Sequence, residues 1–347
     1  MPGIEVYNVS GCQIHNIQQQ PEASLDLRAE IEAGLSAVPP SLPSLLLWDE
    51  EGLRRFDKFA HGDAYYLREK EVEILQENIA QITASIPSGS VLVELGCGSL
   101  QKTVRVLSAL EKQQKAVRYY ALDVSLRGLT ENLAGLMKRS SLFRHTQVIG
   151  LLGTYDDCIA WFANQPDLGV AVPAVTFLWL GNSVSNVHHY TDASNLLAQF
   201  QGACEASQLR CRFLIAADGC EDADRVMEAY NARDPALQAF ILNGLAHSNA
   251  VLGRDAFRLE DWSCESEFYP REDNLEVYYT PRRDVQVRIR GNQTVHFRRG
   301  QRIKAISSGK WTKTRMAKVA AHAGFQLEHI WPDESGIYNF YLMSSMV

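Results

Sequence analysis

Hydrophobic and polar positions along the chain change rhythm three times. Residues 1–25 are polar and show no clear period, so they read as an arm that lies on the body. Residues 24–36 read as a short helix, broken by Pro-Pro-Ser-Leu-Pro at 39–43. Aromatic and charged positions then interleave. From Glu69 to Ile86, the apolar residues Val72, Leu75, Ile79 and Ile82 recur at helical spacing and predict an amphipathic helix. Beyond it, short apolar runs alternate with helical patterns. Strands are predicted at 90–96, 117–125, 146–155, 174–186 (with its exit loop) and 211–220. Helices are predicted between them, at 102–112, 129–142, 156–164 and 191–204. Short apolar strands separated by helices are the signature of a parallel sheet covered on both faces.

Between 221 and 310 that alternation is lost. A helical stretch at 223–232 and the run 242–253 precede two-residue alternation at 275–281, 285–291 and 294–300, which predicts antiparallel strands. From Trp311 onward the pattern is helix, strand, strand, and the last two strands would close the main sheet. The expected fold is α/β: a Rossmann-like, doubly wound, mostly parallel sheet with a second, smaller α+β domain.

Composition narrows the function without naming it. The chain has 347 residues, 46% hydrophobic and 22% charged, as for a globular protein of one large domain or two intertwined ones. Its net charge of -7 works against a phosphate backbone, so no nucleic-acid partner is expected. Seven scattered cysteines without a C-x-x-C pair point to reduced thiols in the cytoplasm rather than to a zinc or redox site. His188 and His189 are adjacent and point apart, so they read as solvated side chains, and no metal is expected. No apolar run reaches the roughly 18 residues of a membrane helix, and the start of the chain has no basic region followed by an apolar run. No membrane association is expected.

The chemistry gathers where the first core strand ends, in Val-Glu-Leu-Gly-Cys-Gly (93–98). Gly96 and Gly98 let the backbone approach a ligand, and the following helix offers free N–H groups. An ordinary strand–helix turn would look similar. The dinucleotide fingerprint G-x-G-x-x-G fails, because Gln101 stands in the third glycine's place. Glu94 precedes the first glycine. It would repel a pyrophosphate but could accept a bond from the ammonium of a methionine moiety. Asp123 ends the second strand, where a carboxylate takes both hydroxyls of an adenosine ribose; the alternative is a helix N-cap. The third strand ends at Gly153-Thr154-Tyr155, beside the place for an adenine, with Tyr155 as an apolar face. Lys102, in the first helical turn, is placed to reach a cofactor carboxylate or to sit in solvent. Gly181 opens the exit loop of the fourth strand and is counted on the same side. The expected cofactor is S-adenosyl-L-methionine.

The ordered motifs YY-(x4)-E-(x2)-IL, LVELGCGSLQKT, YYALDVS, GTYDD, FLWLGNSVSN and SSGKW carry a resemblance. Over about residues 40–347 the chain resembles the histidine-specific methyltransferases of ergothioneine biosynthesis and their fungal relatives. Those relatives include 4-dimethylallyltryptophan N-methyltransferases of ergot alkaloid pathways and tryptophan N-methyltransferases. The resemblance implies a split architecture. A methyltransferase domain would span 69–218 plus 311–347, and a substrate domain 1–68 plus 219–310, with an amino acid held between them. It places Gly96, Lys102, Asp123, Thr154 and Tyr155 on cofactor positions, with Thr154 where the bacterial histidine enzymes have an acid. It places Tyr66, Asn186 and Tyr230 on positions that hold the amino acid's amine and carboxylate. Each has a structural alternative: a core aromatic for Tyr66, a helix cap for Asn186, helix packing for Tyr230.

Two departures bear on the substrate. The histidine enzymes carry an acid in a late strand facing the imidazole, whereas 305–311 here reads Ala-Ile-Ser-Ser-Gly-Lys-Trp, with Ile306 and Ser308 and no acid. Trp48 stands where the bacterial family has a tyrosine. Both changes favour a large apolar ring. The expectation is α-N-methylation of 4-dimethylallyltryptophan or tryptophan, with Tyr66 and Asn186 holding the amine, by a monomer or homodimer. The alternatives are a histidine Nα-methyltransferase and a non-catalytic protein on the same fold. A nucleic-acid amino-methyltransferase would need D/N-P-P-Y/F where Gly181-Asn182-Ser183-Val184 stands.

Overall fold

A computed structural model describes residues 5–19, 27–138, 143–165, 174–187, 190–290 and 293–346; His188 and His189 lie outside them. The chain forms two compact units. The first comprises Met1–Pro21, Glu69–Gly219 and Trp311–Val347, the second Glu22–Arg68 and Cys220–Lys310.

The first unit is built on nine strands: β1 (Glu5–Val9), β2 (Cys12–Asn16), β3 (Ser90–Leu95), β4 (Val117–Asp123), β5 (Thr146–Leu152), β6 (Val175–Trp179), β7 (Cys211–Asp218), β13 (Phe325–Pro332) and β14 (Tyr338–Ser345). Their order is β1-β2-β5-β4-β3-β6-β7-β14-β13. The six strands from β2 to β7 are mutually parallel, and β14 pairs antiparallel with both β7 and β13. The accompanying helices are α3 (Tyr66–Ala84), which begins in the second unit's sequence, α4 (Gln101–Lys112), α5 (Leu126–Met137), α6 (Tyr155–Ala163), α7 (Tyr190–Ala206) and α10 (Lys313–His322). All six residues of β3 are buried, as befits a strand covered on both faces. On one face, Phe177 stacks on Phe213 at 5.0 Å and meets Phe200 of α7 at 4.7 Å. The carbonyls at the end of α3 are collected by one cation. Lys115 Nζ donates to Thr83, Ala84 and Ile86 at 2.6–2.9 Å, which satisfies acceptors that a helix end leaves open.

Three expectations need correction here. The N-terminal segment is no irregular arm, and residues 1–21 do not group with the smaller unit. Cys12 and Ile14 alternate inward in a strand of only five residues, too short to stand out as a period, and that strand adds in parallel to β5. Ile14 lies opposite Gly150 and is fully buried. The helix expected from Leu129 starts earlier, at Leu126, because the Ser125 hydroxyl accepts from the Gly128 N–H at 3.0 Å and caps it.

The second unit contains α1 (Leu27–Ser36), a 3-10 turn (Ser44–Leu47), α2 (Glu50–Ala60), α8 (Ala223–Ala229) and α9 (Pro235–Leu252). A three-stranded antiparallel sheet runs β12-β9-β8, from β8 (Trp262–Tyr269), β9 (Asn274–Pro281) and β12 (Ile303–Gly309). β10 (Val285–Arg290) and β11 (Gln293–Phe297) form a separate hairpin. Helix α9 is apolar nearly all round, so periodicity did not reveal it. Its ends are nonetheless marked by an Asp234 cap, Pro235 in the first turn and left-handed Gly253. Asp49 caps α2 by accepting from Gly52 at 2.8 Å and also accepts from Asn243 Nδ2 of α9 at 2.7 Å. Among the described residues, no helix is long and apolar enough to cross a membrane.

The docking of β2 is testable at Gly150. A Cβ there would lie 2.8 Å from Ile14 Cγ1 and 2.9 Å from Leu133 Cδ1. Gly150→Ala is expected to cost about 1–3 kcal/mol through overpacking, read as a lowered thermal midpoint. An unchanged midpoint would mean that β2 does not lie on β5.

Candidate active site

Strand order places the ends of β3 and β6 side by side, and connections leave them toward opposite sides of the sheet: β4 and β5 on one, β7 on the other. Such a switch point leaves a crevice beyond the strand ends. The β3 exit loop is pinned there, because the Gly96 and Cys97 N–H groups both donate to the Leu122 carbonyl, at 3.1 and 3.0 Å. Gly98 has φ +50°, and a Cβ on it would meet nothing within 4 Å. Leu100 precedes α4 in a left-handed conformation and gives it no side-chain cap.

Asp123 ends β4 beside this loop. Burial raises its carboxyl above the usual range, opposed by backbone hydrogen bonds from Ser125, Val124 and Gly98. It does not cap α5, since Ser125 does. Tyr155 opens α6. Its hydroxyl lies 3.5 Å from where a Gly96 Cβ would stand, and its ring meets Trp179 edge-on at 5.4 Å. Thr154 is the N-cap of α6 in a reciprocal capping box with Asp157, so its hydroxyl is committed to the helix.

Lys102 Nζ donates to Glu71 Oε2 at 2.7 Å, and the other oxygen of Glu71 accepts the Gly181 N–H at 2.8 Å. Glu94 differs from its expected role as an ammonium acceptor. Its carboxyl receives the Thr103 hydroxyl at 2.6 and 2.7 Å and the Tyr119 hydroxyl at 2.5 Å. Burial pushes it up to about 7, against the pull of those two hydroxyls.

In the second unit, Tyr230, Ser308 and Lys310 form one buried polar cluster. Lys310 Nζ donates to Ser308 Oγ at 3.1 Å and to the Tyr230 hydroxyl at 3.3 Å, and it lies 4.5 Å from the Tyr230 ring centre. Tyr230 also ends a run of rings. Trp48 meets Phe56 and Phe240 at 5.2 and 5.3 Å, Phe56 meets Tyr65 at 6.0 Å, and Tyr65 meets Tyr230 at 5.5 Å. Ile306 and Ser308 share one face of β12 by strand alternation, and Ile306 is only half-buried. Tyr66 is buried under the Arg225 guanidinium, 4.8 Å from its ring centre. Asn186 belongs to the first unit, where it closes a 3-10 turn (Ser183–Asn186). It is four residues short of α7, so it does not cap that helix.

A profile of histidine-specific, S-adenosylmethionine-dependent methyltransferases matches residues 27–345. The chain belongs to this methyltransferase family. Its relatives include N-methyltransferase benX of Aspergillus terreus, 54% identical over 98% of this chain and 94% of that protein. Ergothioneine biosynthesis protein 1 of Neurospora crassa is 33% identical over 84% of this chain, a match to 32% of that longer protein. The 4-dimethylallyltryptophan N-methyltransferase easF of Epichloe festucae var. lolii is 30% identical over 89% of this chain and 92% of its own length. The methyltransferase is therefore an S-adenosylmethionine-dependent N-methyltransferase on an α/β fold.

Sequence reasoning gave no role to four side chains that the methyltransferase uses to build these clusters: Glu71, Thr103, Tyr119 and Lys310. Glu71 and Lys310 stood inside motif runs, YY-(x4)-E-(x2)-IL and SSGKW, which was the available signal. Thr103 and Tyr119 likewise stood inside LVELGCGSLQKT and YYALDVS, but nothing in those runs paired them with Glu94, nine and 25 residues away.

The raised carboxyl of Glu94 has a consequence for stability. Between its ordinary value of 4.5 and about 7, the folded chain holds a proton that the unfolded chain has released. Stability therefore falls as pH rises through that window, by on the order of 3 kcal/mol once pH exceeds it. Glu94→Gln cannot ionise. Urea unfolding at pH 5 and pH 8 should show a larger loss for the parent than for the variant; equal losses would place Glu94 in a more polar setting.

Proposed function

We propose that this enzyme methylates the α-amino nitrogen of an aromatic amino acid, tryptophan or its 4-dimethylallyl derivative. The observation that carries the reading is the face of β12. Where the histidine enzymes carry an acid, Ile306 stands half-buried beside Ser308. A buried imidazole N–H without an acceptor costs about 1–3 kcal/mol, whereas an indole ring gains contact area with apolar neighbours. The ring run from Trp48 to Tyr230 and the polar Tyr230–Ser308–Lys310 cluster meet at one residue. An aromatic amino acid likewise joins a ring to a polar head. A relative named as a 4-dimethylallyltryptophan N-methyltransferase adds support.

The residues at the switch point suit S-adenosylmethionine. The open space at Gly98 is a place where the cofactor can approach the main chain. We assign Asp123 to the ribose hydroxyls, Lys102 to the carboxylate, the Gly96–Gly98 and Gly181 loops to the main-chain approach, and Tyr155 to the adenine side. Thr154 contributes by fixing the start of α6, and Glu94 by bracing β3 against α4. The cofactor supplies an electrophilic methyl group on a sulfonium. The substrate amine must be neutral to attack. Its lone pair forms the N–C bond as the C–S bond breaks, and that electron pair stays on sulfur. The new ammonium then gives its proton to solvent. Tyr66 and Asn186 are assigned as oxygen acceptors that orient the amine, with Tyr230 and Ser308 on the polar head. Alignment and water exclusion carry the rate, with no dedicated strong base.

Mass spectrometry of products from tryptophan, 4-dimethylallyltryptophan, phenylalanine and histidine tests the reading. An indole substrate should be methylated fastest; a preference for histidine would overturn it. Ile306→Glu restores the missing acid and should raise histidine turnover relative to tryptophan by about tenfold or more, from a charged hydrogen bond of about 1.5–3 kcal/mol. Tyr66→Phe should lower turnover while leaving cofactor affinity unchanged; unaltered turnover would remove Tyr66 from the amine.

A further inference from the structure

Glu71 touches no group assigned to the substrate, yet it bridges two segments at the switch point. It projects from α3 and is only 2% exposed. One carboxylate oxygen accepts from Lys102 Nζ in the first turn of α4, the other from the Gly181 N–H in the β6 exit loop. We propose that Glu71 is a positioning residue for the methyl donor, holding the Lys102 ammonium at the spot where the donor's carboxylate binds. The proposal rests on the assignment of Lys102 to that carboxylate.

Three features point this way. A lysine ammonium sits on a flexible four-carbon stem and is poorly placed unless something holds it. It has three donors and no acceptor, so a bond to Glu71 leaves two N–H groups for a second carboxylate. Lys102 also keeps 29% of its side-chain surface exposed while Glu71 keeps 2%, so the anchor is the more deeply buried member of the pair. Gly181 completes the arrangement. With φ +76°, it turns its N–H to Glu71, and a Cβ on it would press to 3.0 Å of Lys102 Nζ. A buried carboxylate is costly unless its partners are well placed. Here those partners are one cation from the first turn of α4 and one main-chain donor from the β6 exit loop.

Titration of the full chain with two ligands tests the proposal. S-adenosylhomocysteine carries the amino-acid end; 5′-methylthioadenosine lacks it. Lys102→Met should weaken S-adenosylhomocysteine about tenfold or more and leave 5′-methylthioadenosine within about twofold. Glu71→Gln keeps the volume and an acceptor for Gly181 but removes the charge. It should weaken S-adenosylhomocysteine about five- to tenfold, again sparing 5′-methylthioadenosine. Because Glu71 acts through Lys102, the double variant should be no weaker than Lys102→Met alone. Glu71→Asp, which keeps the charge one methylene further back, should lose less than Glu71→Gln. If Lys102→Met leaves S-adenosylhomocysteine binding intact, the assignment of Lys102 fails. If Lys102→Met discriminates between the ligands and Glu71→Gln binds both as the parent does, the positioning role fails. Equal loss of both ligands in Glu71→Gln and Glu71→Asp makes Glu71 a residue of the fold alone and overturns the proposal.

Discussion

The parallel pairing of β3 with both β4 and β6 is the constraint on which the rest depends. A parallel strand must be left by a crossover, and β3 is the strand from which the crossovers diverge to the two sides of the sheet. No helix can cover the end of such a strand from both directions, so an opening persists there. The chain fills that opening with main chain and polar side chains: the Gly96–Gly98 turn, Asp123 one strand over, and Gly181 on the other side. The glycine turns, the uncapped helix start and the acid at the end of β4 gather at this one feature of the topology.

The same opening requires charge to be buried nearby, and the two acids involved are handled differently. Glu94 receives the hydroxyls of Thr103 and Tyr119, and burial outweighs their pull, so its carboxyl is pushed up to about 7. Glu71 meets an ammonium and a main-chain N–H. The first acid can therefore act as an uncharged strut between β3, β4 and α4. The second stays engaged with a cation that is itself partly exposed. Residue type did not decide these roles; what each carboxyl faces did.

Much of the fold could be read from hydrophobic rhythm. Five buried strands separated by amphipathic helices have few alternatives, and the return to helix, strand, strand after Trp311 marked the closing hairpin. What escaped was structure whose signal is short or lacks contrast. β2 has only two inward residues, Cys12 and Ile14, α9 is apolar on nearly every side, and β8 mixes glutamates with aromatics on a partly exposed sheet. The chemistry divided along similar lines. The places of Gly96, Gly98, Asp123 and Lys102 at strand ends and a helix start were legible, because such ends can be located from sequence. Lys310 was not, because its meaning lies in Tyr230, 80 residues earlier. Glu71 likewise acquires a role only through Gly181, 110 residues later.

The substrate side follows a different logic from the donor side. A sulfonium donor makes the same demands whatever the acceptor, so the switch point can stay constant across a family. Its relatives here include both an ergothioneine biosynthesis protein and a 4-dimethylallyltryptophan N-methyltransferase. The acceptor must instead be sorted by its side chain, since every amino acid presents the same amine and carboxylate. Selectivity then belongs to the few positions that meet the ring. In this chain Tyr230, Ser308 and Lys310 form a buried polar cluster, which the proposed reading gives to the polar head common to every amino acid. Ile306 lies two residues from Ser308 on the same strand face. In the proposed reading, an acid at that one position would reward an imidazole, and the isoleucine would instead offer surface to a larger apolar ring. Under the proposed reading, one side chain on an otherwise retained face would set the preferred amino acid while leaving the chemistry of methyl transfer unaltered.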